Sequence, residues 1–121
     1  LTIDGGASYF LPRLAGMRGM EMALNGDMLD ATEATNMGLV NRVLTGENFH
    51  EQVSAYADRL AKNAPLALAA IKTSMHNALG PGLGETLTAE MAAQRKLMLS
   101  EDVKEGILAF REKREPVYTG R

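Results

Sequence analysis

The sequence predicts a mostly α-helical chain with a short strand near residues 39–43, on three observations. Apolar residues recur at helical spacing: Phe49, Val53, Tyr56 and Leu60 share one stripe of a period of about 3.6 residues, and Leu68, Ile71, Met75 and Leu79 share another. Helix punctuation is frequent, with Asp30 and Glu33 spaced as a capping box, Pro65 at a first helical position and Ser100 ahead of Glu101 and Asp102. Extended character is confined to Leu1–Ile3, which reads as the end of a strand or loop, and to Leu39–Val43.

Taken in order, Asp4-Gly5-Gly6 is a turn signal, because glycine adopts positive φ and aspartate bonds local backbone. Ala7–Leu14 is expected as a short helix in which Pro12 sits in the first turn or breaks it, closed by Gly16. Met17–Leu24 is a second short helix ended by Asn25-Gly26. The helix opened by Asp30 stops at Gly38, and Thr45-Gly46 turns the chain after Leu39–Val43. Four helices follow residue 47: one on the Phe49 stripe, one from Pro65 to the Gly80-Pro81-Gly82 break, one over Leu83–Leu99, and one capped by Ser100. Leu87, Met91 and Met98 are the expected inward positions of the third. Val103, Ile107 and Phe110 are those of the fourth, which Pro116 ends with Arg111, Lys113 and Arg114 at its negative pole.

Composition narrows the function classes. Hydrophobic residues make up 45% of 121 and the net charge is -2, so the chain suits a folded domain and carries no basic field for nucleic acid. It has no cysteine, which removes disulfide and thiolate chemistry. No apolar run approaches the roughly 18 residues that span a bilayer, no signal peptide opens the chain, and a cytoplasmic protein without membrane contacts is expected. His50 and His76 stand alone on helices and make no metal site. The eight methionines read as adaptable filler.

Three segments in order resemble one family. They are Asp4-Gly5-Gly6 through Leu11-Pro12-Arg13-Leu14; Ala23-Leu24-Asn25-Gly26 through Ala31-Thr32-Glu33-Ala34 to Gly38-Leu39-Val40-Asn41-Arg42-Val43; and Glu105-Gly106-Ile107-Leu108-Ala109-Phe110-Arg111-Glu112-Lys113-Arg114-Glu115-Pro116. Each alone is common, but together at these separations they resemble the C-terminal half of the enoyl-CoA hydratase/isomerase (crotonase) family. Ile3 and Asn25 depart from the residues many members carry there. The resemblance implies the C-terminal part of an α/β crotonase fold. Residues 1–46 would form the end of the core and residues 47–121 a helical region for trimer contacts. The abrupt start at Leu1 fits a piece of a longer protein.

The same resemblance implies an acyl-CoA substrate, coenzyme A as part of that substrate rather than as a cofactor, and a homo-oligomer, trimeric or hexameric. Members grip the thioester carbonyl with two backbone N–H groups that stabilise an enolate, and carboxylates move the proton. In hydratase-like members the glutamates and the oxyanion-hole donors precede the stretch resembled here. Asp4 is the catalytic candidate that remains, matching a proton-shuttling aspartate of some isomerases; the alternative is that it caps the helix beginning near Gly6. Phe110 and Lys113 match a phenylalanine and a lysine near the adenine and 3′-phosphate of coenzyme A. The alternative there is a solvated basic helix end. Two functions therefore compete: part of an enoyl-CoA enzyme, and a non-catalytic helical oligomerisation module.

Overall fold

The computed structural model describes residues 2–121; Leu1, where the first extended segment was expected to begin, lies outside them. The described helices are α1 (Ala7–Leu14), α2 (Gly16–Asn25), α3 (Ala31–Asn36), α4 (Phe49–Ala61), α5 (Pro65–Asn77), α6 (Leu83–Leu97) and α7 (Glu101–Glu112). They fall into two compact units, Leu1–His50 and Glu51–Arg121.

In the first unit, α1 runs unbroken through Pro12, its sixth residue, and ends two residues later. The proline therefore neither sits in the first turn nor breaks the helix, and its missing N–H falls close to an end where few bonds remain to lose. Ala15 separates α1 from α2, whose first residue, Gly16, has φ of 54°. The two helices then meet where Gly19 faces α1: a Cβ on Gly19 would lie 2.8 Å from the Leu11 carbonyl oxygen, so only glycine permits this approach. Asp30 caps α3 as expected, its carboxylate accepting from the Glu33 N–H at 2.8 Å while the Glu33 carboxylate accepts from the Asp30 N–H at 2.9 Å.

The strand expected at Leu39–Val43 does not form, and no strand occurs among the described residues. The reason lies in how α3 ends. Gly38, at φ of 76°, donates to the Thr35 carbonyl at 3.0 Å, and Leu39 donates to the Ala34 carbonyl at 2.9 Å. This is the paired bonding of a Schellman motif, and it consumes the amides with which a strand would open. A β-ladder also needs a second strand, and the described residues offer none.

In the second unit, α5 begins at Pro65 as its lost N–H allows. The connection Ala78–Gly82 returns the chain as α6, which packs on α5 as a hairpin. The apolar spacing gave these helices correctly but not their burial. Phe49, Val53, Leu60, Ile71, Met75, Leu87 and Met91 are all exposed, and Met37 and Ala109 are the buried apolar residues among those described. Accessible surface totals 10005 Å². Two compact bodies of these masses standing wholly apart would expose only roughly 7,700 Å². The helical stripes are real, but the described residues leave most of their side chains about half exposed or more.

Candidate functional site

The last helix and the residues after it are tied together by a dense set of side-chain hydrogen bonds. Ser100 caps α7, its Oγ accepting from the Val103 N–H at 3.2 Å. The helix does not run to Pro116 as the sequence suggested. It stops at Glu112 because Lys113 takes a left-handed conformation, φ 55° and ψ 40°, unlike any other described non-glycine residue. Lys113 N–H bonds the Phe110 carbonyl at 3.4 Å and Arg114 N–H bonds the Ala109 carbonyl at 3.1 Å, again a Schellman ending. Lys113 thereby stands at the apex of a reversal that sends the final residues back along α7.

Charged side chains hold that returning tail. Glu105 receives Arg114 through both oxygens, at 2.6 and 2.9 Å, and accepts from the Val117 N–H at 2.8 Å. Arg114 also reaches Glu112 at 2.7 Å. Asp102, only 4% exposed, accepts from the Thr119 N–H at 2.7 Å and the Gly120 N–H at 2.9 Å. The oxygen of Arg121 in turn accepts from the Glu101 and Asp102 N–H groups at 2.6 and 3.3 Å, satisfying donors that a helix start leaves open. Gly106 makes room for the tail, since a Cβ there would meet the Tyr118 hydroxyl at 3.2 Å. The Arg114 hydrogen bonds, followed by the Val117 amide, hold the Glu105 carboxyl down to about 2 from 4.5. A depressed carboxyl keeps its contribution above its ordinary range and loses it only as pH falls through the lowered value, so the fork stays charged at neutral and mildly acid pH.

The tail also decides which face of α7 is covered. Asp102, Gly106 and Ala109 face it, Ala109 being 1% exposed, whereas Ile107 is exposed and Phe110 is 85% exposed. The expectation that Phe110 and Ile107 lie in a core is therefore wrong. The covering element is bound mainly through its main-chain amides, so the face it selects is the one carrying carboxylates and small residues, not the one carrying large apolar groups.

Of the residues singled out from sequence, Phe110 lies in the last turn of α7 and Lys113 just past its end, with its N–H on the Phe110 carbonyl. Phe110 lines a groove of about 590 Å³ with Gln94, Met98, Ile107, Arg111 and Tyr118. Arg111, read as a plain surface charge, shares that groove. Asp4 belongs to the other unit. Its backbone carbonyl accepts from the Ala7 N–H at 2.9 Å, but α1 has Gly6 as N-cap and no side-chain cap, so the carboxylate does not do the capping. His76 Nδ1 lies 3.0 Å from the Lys72 carbonyl and the His50 ring lies edge-on to Phe49 at 5.5 Å. No group of three metal-ligating side chains occurs among the described residues, and no described helix is long and apolar enough to cross a membrane. Sequence reasoning missed Asp102, Glu105 and Arg114 as a set. The one available signal was Gly106, a mid-helix glycine that costs about 1 kcal/mol against alanine and so calls for a close neighbour.

The chain is similar to known proteins along its whole length. The family model for enoyl-CoA hydratase/isomerase matches residues 1–121. A probable enoyl-CoA hydratase of Rhodobacter capsulatus is 40% identical over 122 residues, covering 100% of this chain and 48% of that protein. The 1,2-epoxyphenylacetyl-CoA isomerase of Escherichia coli is 34% identical, covering 100% of this chain and 47% of its own. The crystal structure of an enoyl-CoA hydratase from Bacillus anthracis superposes with a TM-score of 0.94 at 32% identity, covering 100% of this chain and 47% of that one. The chain thus spans about half the length of the relatives it matches, and its helices follow the corresponding half of a crotonase-type fold.

Proposed function

Because the chain belongs to the enoyl-CoA hydratase/isomerase family, we propose that it forms the coenzyme-A-contacting and subunit-contacting portion of an enzyme that hydrates enoyl-CoA thioesters or moves their double bonds. The observation that carries this reading is the pairing of Phe110 and Lys113 at the end of α7. The phenyl ring is almost wholly exposed beside an apolar groove, and the ammonium is borne by a residue held in a conformation that costs a lysine about 1–2 kcal/mol. An exposed ring offers a stacking face for adenine. A long flexible cation offers charge to a phosphate past the helix-end carbonyls that would otherwise repel it.

The chemical step depends on groups this stretch does not supply. The family's oxyanion hole stabilises the enolate oxygen, and its glutamates move the proton. Asp4, on a glycine turn with its carboxylate uncommitted to α1, is the chain's own candidate to carry a proton in an isomerisation. The isolated 121 residues should therefore give no measurable turnover of crotonyl-CoA, since each missing element is worth roughly 10²-fold or more. They should instead form homo-oligomers in light scattering at micromolar concentration, their uncovered apolar faces on α4–α6 seeking partners. A monomer that turns over crotonyl-CoA would refute both statements. The alternative reading, a non-catalytic oligomerisation module, rests on those same faces and predicts oligomers without any coenzyme A affinity in the full-length protein.

The direct test is Lys113→Ala in the full-length protein. Coenzyme A thioester binding should weaken by about 1 kcal/mol, the order of an exposed charge-assisted contact, and the loss should shrink as salt rises. A ligand lacking the 3′-phosphate should be nearly indifferent to the substitution. Equal weakening of both ligands would make Lys113 structural.

A further inference from the structure

The reversal at Lys113 and the tail it launches are held by charged groups that the contact with coenzyme A does not itself require. Glu105 lies two turns before the helix end, yet it binds Arg114, the residue after Lys113, through both carboxylate oxygens. It also binds Val117 N–H, twelve residues along the chain. Asp102 holds Thr119 and Gly120 one turn further back, and the Arg121 oxygen closes on the first N–H groups of α7. The left-handed turn is thus fastened on both sides: by α7 before it and by a strap antiparallel to α7 after it.

We propose that Glu105 and Arg114 are positioning residues that fix Lys113 at the apex of this turn and so set where its ammonium stands relative to a bound phosphate. A lysine left to itself would abandon φ of 55° for a right-handed or extended conformation, which would redirect its side chain. The fork of Arg114 on Glu105 opposes that change in two ways. It is bidentate, so it fixes orientation as well as distance. It also engages the residue directly after Lys113, so the turn cannot relax without breaking it. Glu112 and the Glu115 carbonyl, at 2.7 and 3.2 Å, also accept from the same guanidinium. Neither Glu105 nor Arg114 need touch the ligand.

This inference rests on the coenzyme A contact proposed for Lys113, and the test separates the two. In the full-length protein, Glu105→Gln and Arg114→Lys are compared with Lys113→Ala for binding of coenzyme A and of its 3′-dephospho form. Both positioning variants should lower the preference for the 3′-phosphate about threefold to fivefold, with KM raised and kcat unchanged. Adding either to Lys113→Ala should lower it no further than Lys113→Ala alone. Hydrogen–deuterium exchange of residues 113–120, read without ligand, should rise several-fold in both positioning variants. Unchanged exchange would overturn the fastening of the turn. Raised exchange with an unchanged phosphate preference would overturn its role in placing Lys113. If Lys113→Ala itself left the preference intact, the phosphate contact would fail and the exchange result alone would decide whether the lock exists.

Discussion

Helices α3 and α7 end with the same pair of hydrogen bonds, and they differ in the residue at the left-handed position. In α3 it is Gly38, at φ of 76°, and in α7 it is Lys113, at φ of 55°. Glycine takes this conformation freely, whereas a lysine pays about 1–2 kcal/mol for its Cβ. The α3 ending needs nothing more: two backbone bonds and a permissive residue suffice. The α7 ending needs support and has it, in the Glu105–Arg114 fork and the strap bound to Asp102. A helix end that carries its own strain and a set of charged braces is organised around its side chain. One that carries glycine is organised around its backbone.

Three substitutions test this contrast, in falling order of effect. Asp102→Ala leaves the Thr119 and Gly120 amides without their acceptor beside a site that is almost fully buried, and should cost about 2–3 kcal/mol in a denaturant titration. A loss below about 0.5 kcal/mol would mean that the strap does not brace the α7 end. Gly38→Lys puts at α3 the residue that α7 tolerates, without the braces, and should cost about 1–2 kcal/mol. If the midpoint does not move, the strain assigned to Lys113 is illusory as well. Lys113→Gly should stabilise the fold by about 1 kcal/mol or slightly less while abolishing the phosphate preference. A glycine there that stabilised nothing would remove the argument that the lysine is kept for its side chain.

What could be read in advance divides along the same line. The Asp30–Glu33 box, Pro65 and the Ser100 cap each satisfy local groups within about one turn, so spacing alone announces them. The strand at Leu39–Val43 was misread because β-branched and apolar content says nothing about whether a partner is at hand, and the end of α3 had first use of the amides. The Phe110 stripe was misread for a related reason. Periodicity identifies a helix face able to be buried, but coverage of α7 was decided by Asp102 and Glu105 binding backbone 12 to 18 residues away. In a linear reading, Glu105 and Arg114 are two more charges on a polar helix. The pair Phe110 and Lys113 was recognisable through resemblance alone, and the left-handed backbone beneath Lys113 has no sequence signature at all.

The strap has one further property. It is gripped through the N–H groups of Val117, Thr119 and Gly120, while the side chains of Val117 and Thr119 point to solvent. Recognition written on the main chain is blind to most side chains, so positions 117 and 119 are free to drift among nearly all residues without loosening the grip. Proline is the exception, because it lacks the very hydrogen being read. Position 120 is closed on two further counts: its φ of 76° excludes most side chains, and a Cβ there would lie 3.1 Å from the Pro65 ring. The tail should therefore evolve as an alternation of permissive and forbidden sites, a pattern set by an aspartate and a glutamate more than ten residues upstream.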